Sequence, residues 1–175
     1  RRFVSPIGRG AISFYKYYLM DTLMVDRQEC VHLTFVPQNP QDFGFTGHHY
    51  VVKDSTYAVK KCTMNLPKKT GVNFVENLDI VQQFEQLPDG NWVLTDDDMT
   101  VELHFVKGIQ GLEVQRTTKY SDYQFTEIEP RLFRLKGNVI KEANMLAKSD
   151  EYWAKVRQVP LTKKELSLIH ISEPT

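Results

Sequence analysis

The chain has 175 residues, of which 41% are hydrophobic and 11% aromatic, a composition that supports one packed domain and excludes a disordered segment. Its 22 Lys and Arg balance 22 Asp and Glu, so it lacks the electropositive footprint expected of a protein that binds nucleic acid or an anionic membrane surface. No apolar run reaches the roughly 18 residues of a membrane helix, so no span of that kind is predicted.

In chain order, the dominant pattern is alternation of period two, which marks strands with one dry and one wet face. Strands are predicted at 15–25, 28–36, 45–53, 56–66, 78–87, 91–95, 99–106 and 112–120. The stretch "AISFYKYYLM" fits a helical turn or a strand, and its aromatics favour strand. In "VHLTFVP", Val31, Leu33 and Phe35 oppose His32 and Thr34. In "MTVELHFVKG", Met99, Val101, Leu103 and Phe105 oppose Thr100, Glu102 and His104. Turns are predicted at Asp26-Arg27, "PQNPQDFG", Asp54-Ser55, "PKKTG" at 67–71, Asp89-Gly90 and 107–111, with Asp89-Gly90 supplying the positive φ of a tight hairpin. "TDDDMT" reads as a solvated connection between two strands. Strands joined in this way form an antiparallel meander. One short helix follows late. Ser149 caps it, Asp150 and Glu151 suit its positive end, Tyr152, Trp153 and Val156 form an apolar face, and Pro160 stops it. The fold class is therefore mainly β with one short helix, in a single domain over 1–165.

Candidate chemistry is sparse. One intervening strand would hold Cys30 and Cys62 about 9 to 10 Å apart, beyond the roughly 7 Å limit of a disulfide. Two buried free thiols are expected, and only a curved or reordered sheet would join them. His48 and His49 point to opposite faces of a strand, which is poor geometry for one metal, and neither shares a ligand spacing with His32 or His104. They read as surface or half-buried histidines. Asp96, Asp97 and Asp98 lack the alternate spacing, Gly and distal Glu of a calcium loop. Ser5, Ser13, Ser55, Ser121 and Ser149 all lie outside a G-x-S-x-G turn, and "GRG" and "PKKTG" lack the rest of a nucleotide-binding fingerprint. Tyr120, Tyr123 and Phe125 beside Arg131 and Arg134 read as aromatic strand pairing, since the balanced charge argues against base stacking. No catalytic residue, metal site or cofactor is predicted.

The stretch "NPQDFGFTGHHYVVKDSTYAVKKCTMNLPKKTGVNFVENLDIVQQFEQLPDGNW", with "RRFVSPIGRGAISFYKYYLMDT", "RTTKYSDY" and "SDEYWAKVRQVPLTKKE", resembles a domain of unknown function found in carboxypeptidase-like regulatory domain-containing proteins of the Gram-negative cell envelope. The likeness covers 1–165. It implies a periplasmic, outer-membrane-associated setting in which a small β-sandwich precedes this region and an outer-membrane-barrel-like segment follows. The middle also looks like the half-barrel of the lipoprotein-localisation fold, a curved sheet that cradles acyl chains. Gly44 and Gly47 around Phe45 fit such a bend. Two departures stand out: Arg27 replaces the Gly expected after Asp26, weakening a type I′ turn there, and His49 replaces an aliphatic residue.

The function expected on this basis is a non-enzymatic envelope module. Its strongly curved antiparallel meander would turn a concave apolar face, built from Phe35, Phe84, Met99, Val101, Leu103 and Phe105, toward a lipid or acyl-chain ligand. The alternative is a structural adaptor between flanking domains of the same chain, its apolar face filled by the helix around Trp153. The last ten residues, "LSLIHISEPT" at 166–175, match the translation of a transposon-end adapter letter for letter and read as sequencing read-through. A start at Arg1 without Met points to a fragment of a longer protein.

Overall fold

The computed structural model describes residues 4–67, 74–105, 111–134, 148–163 and 165. They fall into two compact units, Arg1–Ser121 and Asp122–Thr175. The predicted turns at 67–71 and 107–111, the strand end at 106 and the tail at 166–175 lie wholly or largely outside the described residues.

The first unit is one open antiparallel sheet of seven strands in sequence order: β1 (Tyr15–Val25), β2 (Gln28–Pro37), β3 (Thr46–Val52), β4 (Val59–Pro67), β5 (Val75–Gln86), β6 (Trp92–Leu103) and β7 (Leu112–Lys119). Each strand pairs only with its neighbours in the chain, as the meander reading expects. Register shifts interrupt the pairs β1–β2, β3–β4 and, twice, β5–β6. Such irregularities bend and twist a sheet, which accords with a curved meander.

The predicted pair of strands at 91–95 and 99–106 is a single strand, β6, running through the three aspartates. Neighbouring strands supply partners to two of the three acids, whereas Asp98 Oδ1 is buried without a hydrogen-bond partner. Asp97 is buried on the drier face, where Gln82 Nε2 donates to it at 2.9 Å and Arg116 Nη2 at 2.5 Å, while Asp96 pairs with Lys119. Tyr123 and Phe125 do stack, with ring centroids 6.4 Å apart, but in a segment without regular structure rather than in a strand.

Turn chemistry sets the hairpins. Asp26 and Arg27 both adopt positive φ, 45° and 67°, and Val25 pairs with Gln28. The two-residue turn with both central residues left-handed thus forms without the glycine. Arg27 carries the cost of that conformation, so Arg27→Gly is expected to raise stability by about 0.5 to 1 kcal/mol in chemical denaturation; a loss would show that the arginine side chain contributes something that offsets the backbone. At the other predicted tight turn the loop has three residues. The Gly90 N–H donates to the Leu87 carbonyl, the Leu87 N–H donates to the Asn91 carbonyl, and only Gly90 is left-handed, at φ 88°. Asp89 instead accepts from the Asn91 backbone and side chain.

Opposed residues in neighbouring strands share a face, so the registers sort the side chains into two surfaces. The dry face carries Tyr15 and Tyr17 of β1, Leu33 and Phe35 of β2, Gly47 and His49 of β3, Cys62, Met64 and Leu66 of β4, Leu78 and Ile80 of β5, Met99 and Val101 of β6, and Val114 of β7. The core forms where the N-terminal segment folds over the first four strands. Ala11, Tyr15, Phe35, Cys62 and Met64 are buried together, with Val4, Phe14, Phe45 and Ile80 packed against them. "AISFYKYY" resolves into both alternatives: a single helical turn, α1 (Ala11–Phe14), runs straight into β1. Hydroxyls tie the cover down. Tyr15 donates to the Val4 carbonyl and Tyr17 to the Pro6 carbonyl, each at 2.7 Å.

The second unit contains a 3-10 turn at Pro130–Arg134 and the short helix α2 (Asp150–Val156). Ser149 caps α2 as expected, its hydroxyl accepting from the Tyr152 N–H at 3.3 Å. None of the residues of α2 is buried, and Trp153 is 39% exposed.

Candidate functional site

The apolar face is filled at one end and open at the other. Row by row, Leu66 is 2% exposed, Leu78 and Val101 beside it are half-buried, and Val114 on the outer strand reaches 39%. The neighbouring row, Leu103 opposite Leu112, ends in a residue 55% exposed. Just beyond it, the rings of Phe74 and Phe105 stand 5.5 Å apart, both largely in solvent. A continuous apolar strip therefore runs from the core to the β7 edge.

Of the six residues expected to line a ligand face, the structure brings Met99, Val101 and Leu103 together on this strip and sets Phe105 at its end. Phe35 shares the face but lies in β2 and is fully buried, its ring 5.4 Å from Tyr15 and 4.7 Å from His49. Phe84 lies toward the far end of β5, past a register shift and opposite Leu94, half-buried.

Within the filled half, Cys62 is fully buried, and burial pushes its thiol up to about 12. His49 stands directly opposite it, 4% exposed, and its Nε2 has no hydrogen-bond partner. Burial lowers its pKa to about 4. Cys30 is also buried and free, on the other face. Desolvation raises it as well, and the nearby Lys60 opposes that rise. The two thiols sit on opposite sides of the sheet, two strands apart, so both remain unpaired.

The wet face carries an arrangement that sequence reasoning missed. The extra residues of the β1 bulge, Met20 and Asp21, lie opposite the single residue His32, and the bulge aims Asp21 Oδ1 at His32 Nδ1, 2.9 Å away. His32 Nε2 lies 2.9 Å from His48 Nδ1, which is also 3.2 Å from Thr34 Oγ1. Tyr50 stacks on His32 at 5.0 Å with the rings nearly parallel. Partial desolvation of its ring, and then the neighbouring His32, holds the otherwise exposed His48 below the usual imidazole range. His48 borders a groove of about 430 Å³ lined by Thr34, Val36, Thr46, Thr63, Asn65, Asp79 and Val81. Beneath, Asn65 Nδ2 donates to Asn77 Oδ1 and Asp79 Oδ1 at 2.7 Å each, and Asn77 Nδ2 donates to Asp79 Oδ2 at 2.5 Å. Among the described residues, no group of three or more His, Cys, Asp or Glu side chains is placed to hold a metal, and no helix is long and apolar enough to cross a membrane.

The architecture is that of an open antiparallel β-sheet module with one partly covered apolar face and one grooved polar face. The chain belongs to a family of unknown function, DUF5686, whose family model matches residues 1–123. That match spans the whole sheet. No curated protein and no solved structure matches the chain.

Proposed function

We propose that this chain is a non-enzymatic module of the cell envelope, periplasmic and associated with the outer membrane, whose open apolar strip receives an acyl chain or another lipid-like ligand. The observation that carries this reading is the gradient along the Leu66, Leu78, Val101, Val114 row, from buried to open. Contiguous apolar surface left in solvent marks a binding surface, because it costs roughly 25 cal/mol per Å² to leave it there. The envelope setting rests on the resemblance of the sequence to carboxypeptidase-like regulatory domain-containing proteins. The lipid reading draws on the likeness to the lipoprotein-localisation half-barrel.

The test is retention of lipid in native mass spectra of the purified chain, together with fluorescence of an apolar dye. Leu112→Glu and Val114→Glu sit on exposed positions of β7. They are expected to abolish dye fluorescence and lipid retention while leaving the melting temperature unchanged. A parent protein free of lipid and dark with the dye would end this reading.

A second reading, a structural adaptor between flanking domains, draws on a different observation. The chain already fills half of its own apolar face, using the segment from Val4 to Phe14. In that case the open strip is a seat for a neighbouring segment of the same protein, and the dye would still bind the isolated chain while lipid would not co-purify.

A further inference from the structure

We infer that the groove on the wet face is a binding site for a neutral saccharide chain. Two cross-strand rows build it. Thr34, His48, Thr63 and Val81 lie opposite one another in β2 to β5, and Thr46, Asn65 and Asp79 form the next row, with Val36 beside them. Phe35, Gly47, Met64 and Ile80 lie between the rows with their side chains turned to the other face, so the floor is backbone. Short β-branched side chains on both rows leave the trough between them.

The lining selects the ligand class. Among the described residues that line the groove none is Lys or Arg, so its lining offers an anion no cationic partner. Its one carboxylate among the described lining residues, Asp79, accepts from an amide on each oxygen, from Asn65 and from Asn77, which fixes its orientation in the wall of the groove. What remains is a mixture of hydroxyls, an amide oxygen and an imidazole, set among the methyl groups of Thr34, Thr46, Thr63, Val36 and Val81. Hydroxyls donate and accept, and methyls offer apolar contact. A pyranose presents that same mixture, ring hydroxyls at its edge and C–H groups on its faces. Tyr18 stands opposite Thr34 at the end of the first row, 50% exposed, and gives a sugar face a ring to lie on. His48 is exposed at the rim and is oriented by the Asp21–His32 pair behind it, so its ring is held for a hydroxyl partner. Because the groove and the apolar strip occupy opposite faces, this site stands or falls separately from the lipid reading.

The experiment is an amide-resolved NMR titration of the full chain with maltohexaose, cellohexaose, laminarihexaose and chitohexaose, each at up to about 10 mM, enough to saturate a site of millimolar affinity. At least one probe is expected to give saturable shifts centred on Thr34, His48, Thr63 and Asn65. Thr63→Val and Tyr18→Ala should each weaken that binding about fivefold or more, the loss of one good contact. Leu112→Glu, on the other face, should leave it unchanged. Tyr18 is exposed, so its variant keeps the test decisive if Thr63→Val does not fold. Shifts absent with all four probes, shifts centred away from the groove, or parent-like affinity in Tyr18→Ala would each overturn the assignment.

Discussion

Gly47→Ala is expected to destabilise the first unit by about 3 to 5 kcal/mol, a large share of what holds a domain of this size together. The reason is steric and local. A Cβ at position 47 would fall 1.9 Å from the Thr63 carbonyl oxygen, 2.8 Å from its carbon and 3.1 Å from Phe35 Cζ. The first two are backbone of the paired strand and cannot rotate away. Accommodating a methyl would prise β3 from β4 and lift the Phe35 ring off the glycine it covers, at the centre of the Tyr15, Phe35, Cys62 and Met64 cluster. Gly47→Val should leave no folded protein to purify. Equilibrium denaturation of the alanine variant reads the effect, and a loss below about 1 kcal/mol would mean that the two strands are not this close.

His49→Leu should act in the opposite direction. At neutral pH the imidazole is buried, with Nε2 unsatisfied, among Tyr17, Phe35 and Cys62. An apolar side chain of similar volume relieves that desolvation and is expected to add about 1 to 3 kcal/mol. The pH dependence gives a sharper reading. The folded pKa, about 4, lies below the usual 6.5, so the unfolded chain takes up a proton that the native state refuses. The stability tied to the neutral ring is complete above pH 6.5 and is lost as pH falls through the window to about 4. That gap is worth about 3 kcal/mol. Denaturation midpoints of the parent should therefore slope downward from pH 6.5 to 4, and those of His49→Leu should be flatter by that amount. Parallel slopes would place the acid sensitivity elsewhere.

Sequence alternation was enough to identify the meander, the free thiols, the opposed orientations of His48 and His49, and the Ser149 cap, because each depends on local spacing. What escaped depends on register. The acids at 96 and 97 resemble part of a loop until Lys119 and Arg116, about twenty residues further on, are known to reach them from the next strand. His32 and His48 share no ligand spacing along the chain. They become neighbours only because Thr34 pairs with His48, which makes His32 its diagonal neighbour. The bulge that brings Asp21 to them leaves no mark in composition. Among the expected ligand-face residues, Met99, Val101 and Leu103 could be grouped from one strand alone, whereas the burial of Phe35 required the N-terminal segment, whose fold over the sheet no periodicity announces.

Strand order equal to chain order also bears on how the molecule is made. Every strand after the first finds a partner in the segment just synthesised, so no early ribbon has to wait, exposed, for one that emerges last. With its buried cluster centred on β1, β2 and β4, the sheet is suited to growing strand by strand from that packed part, each new hairpin added to a template already in place.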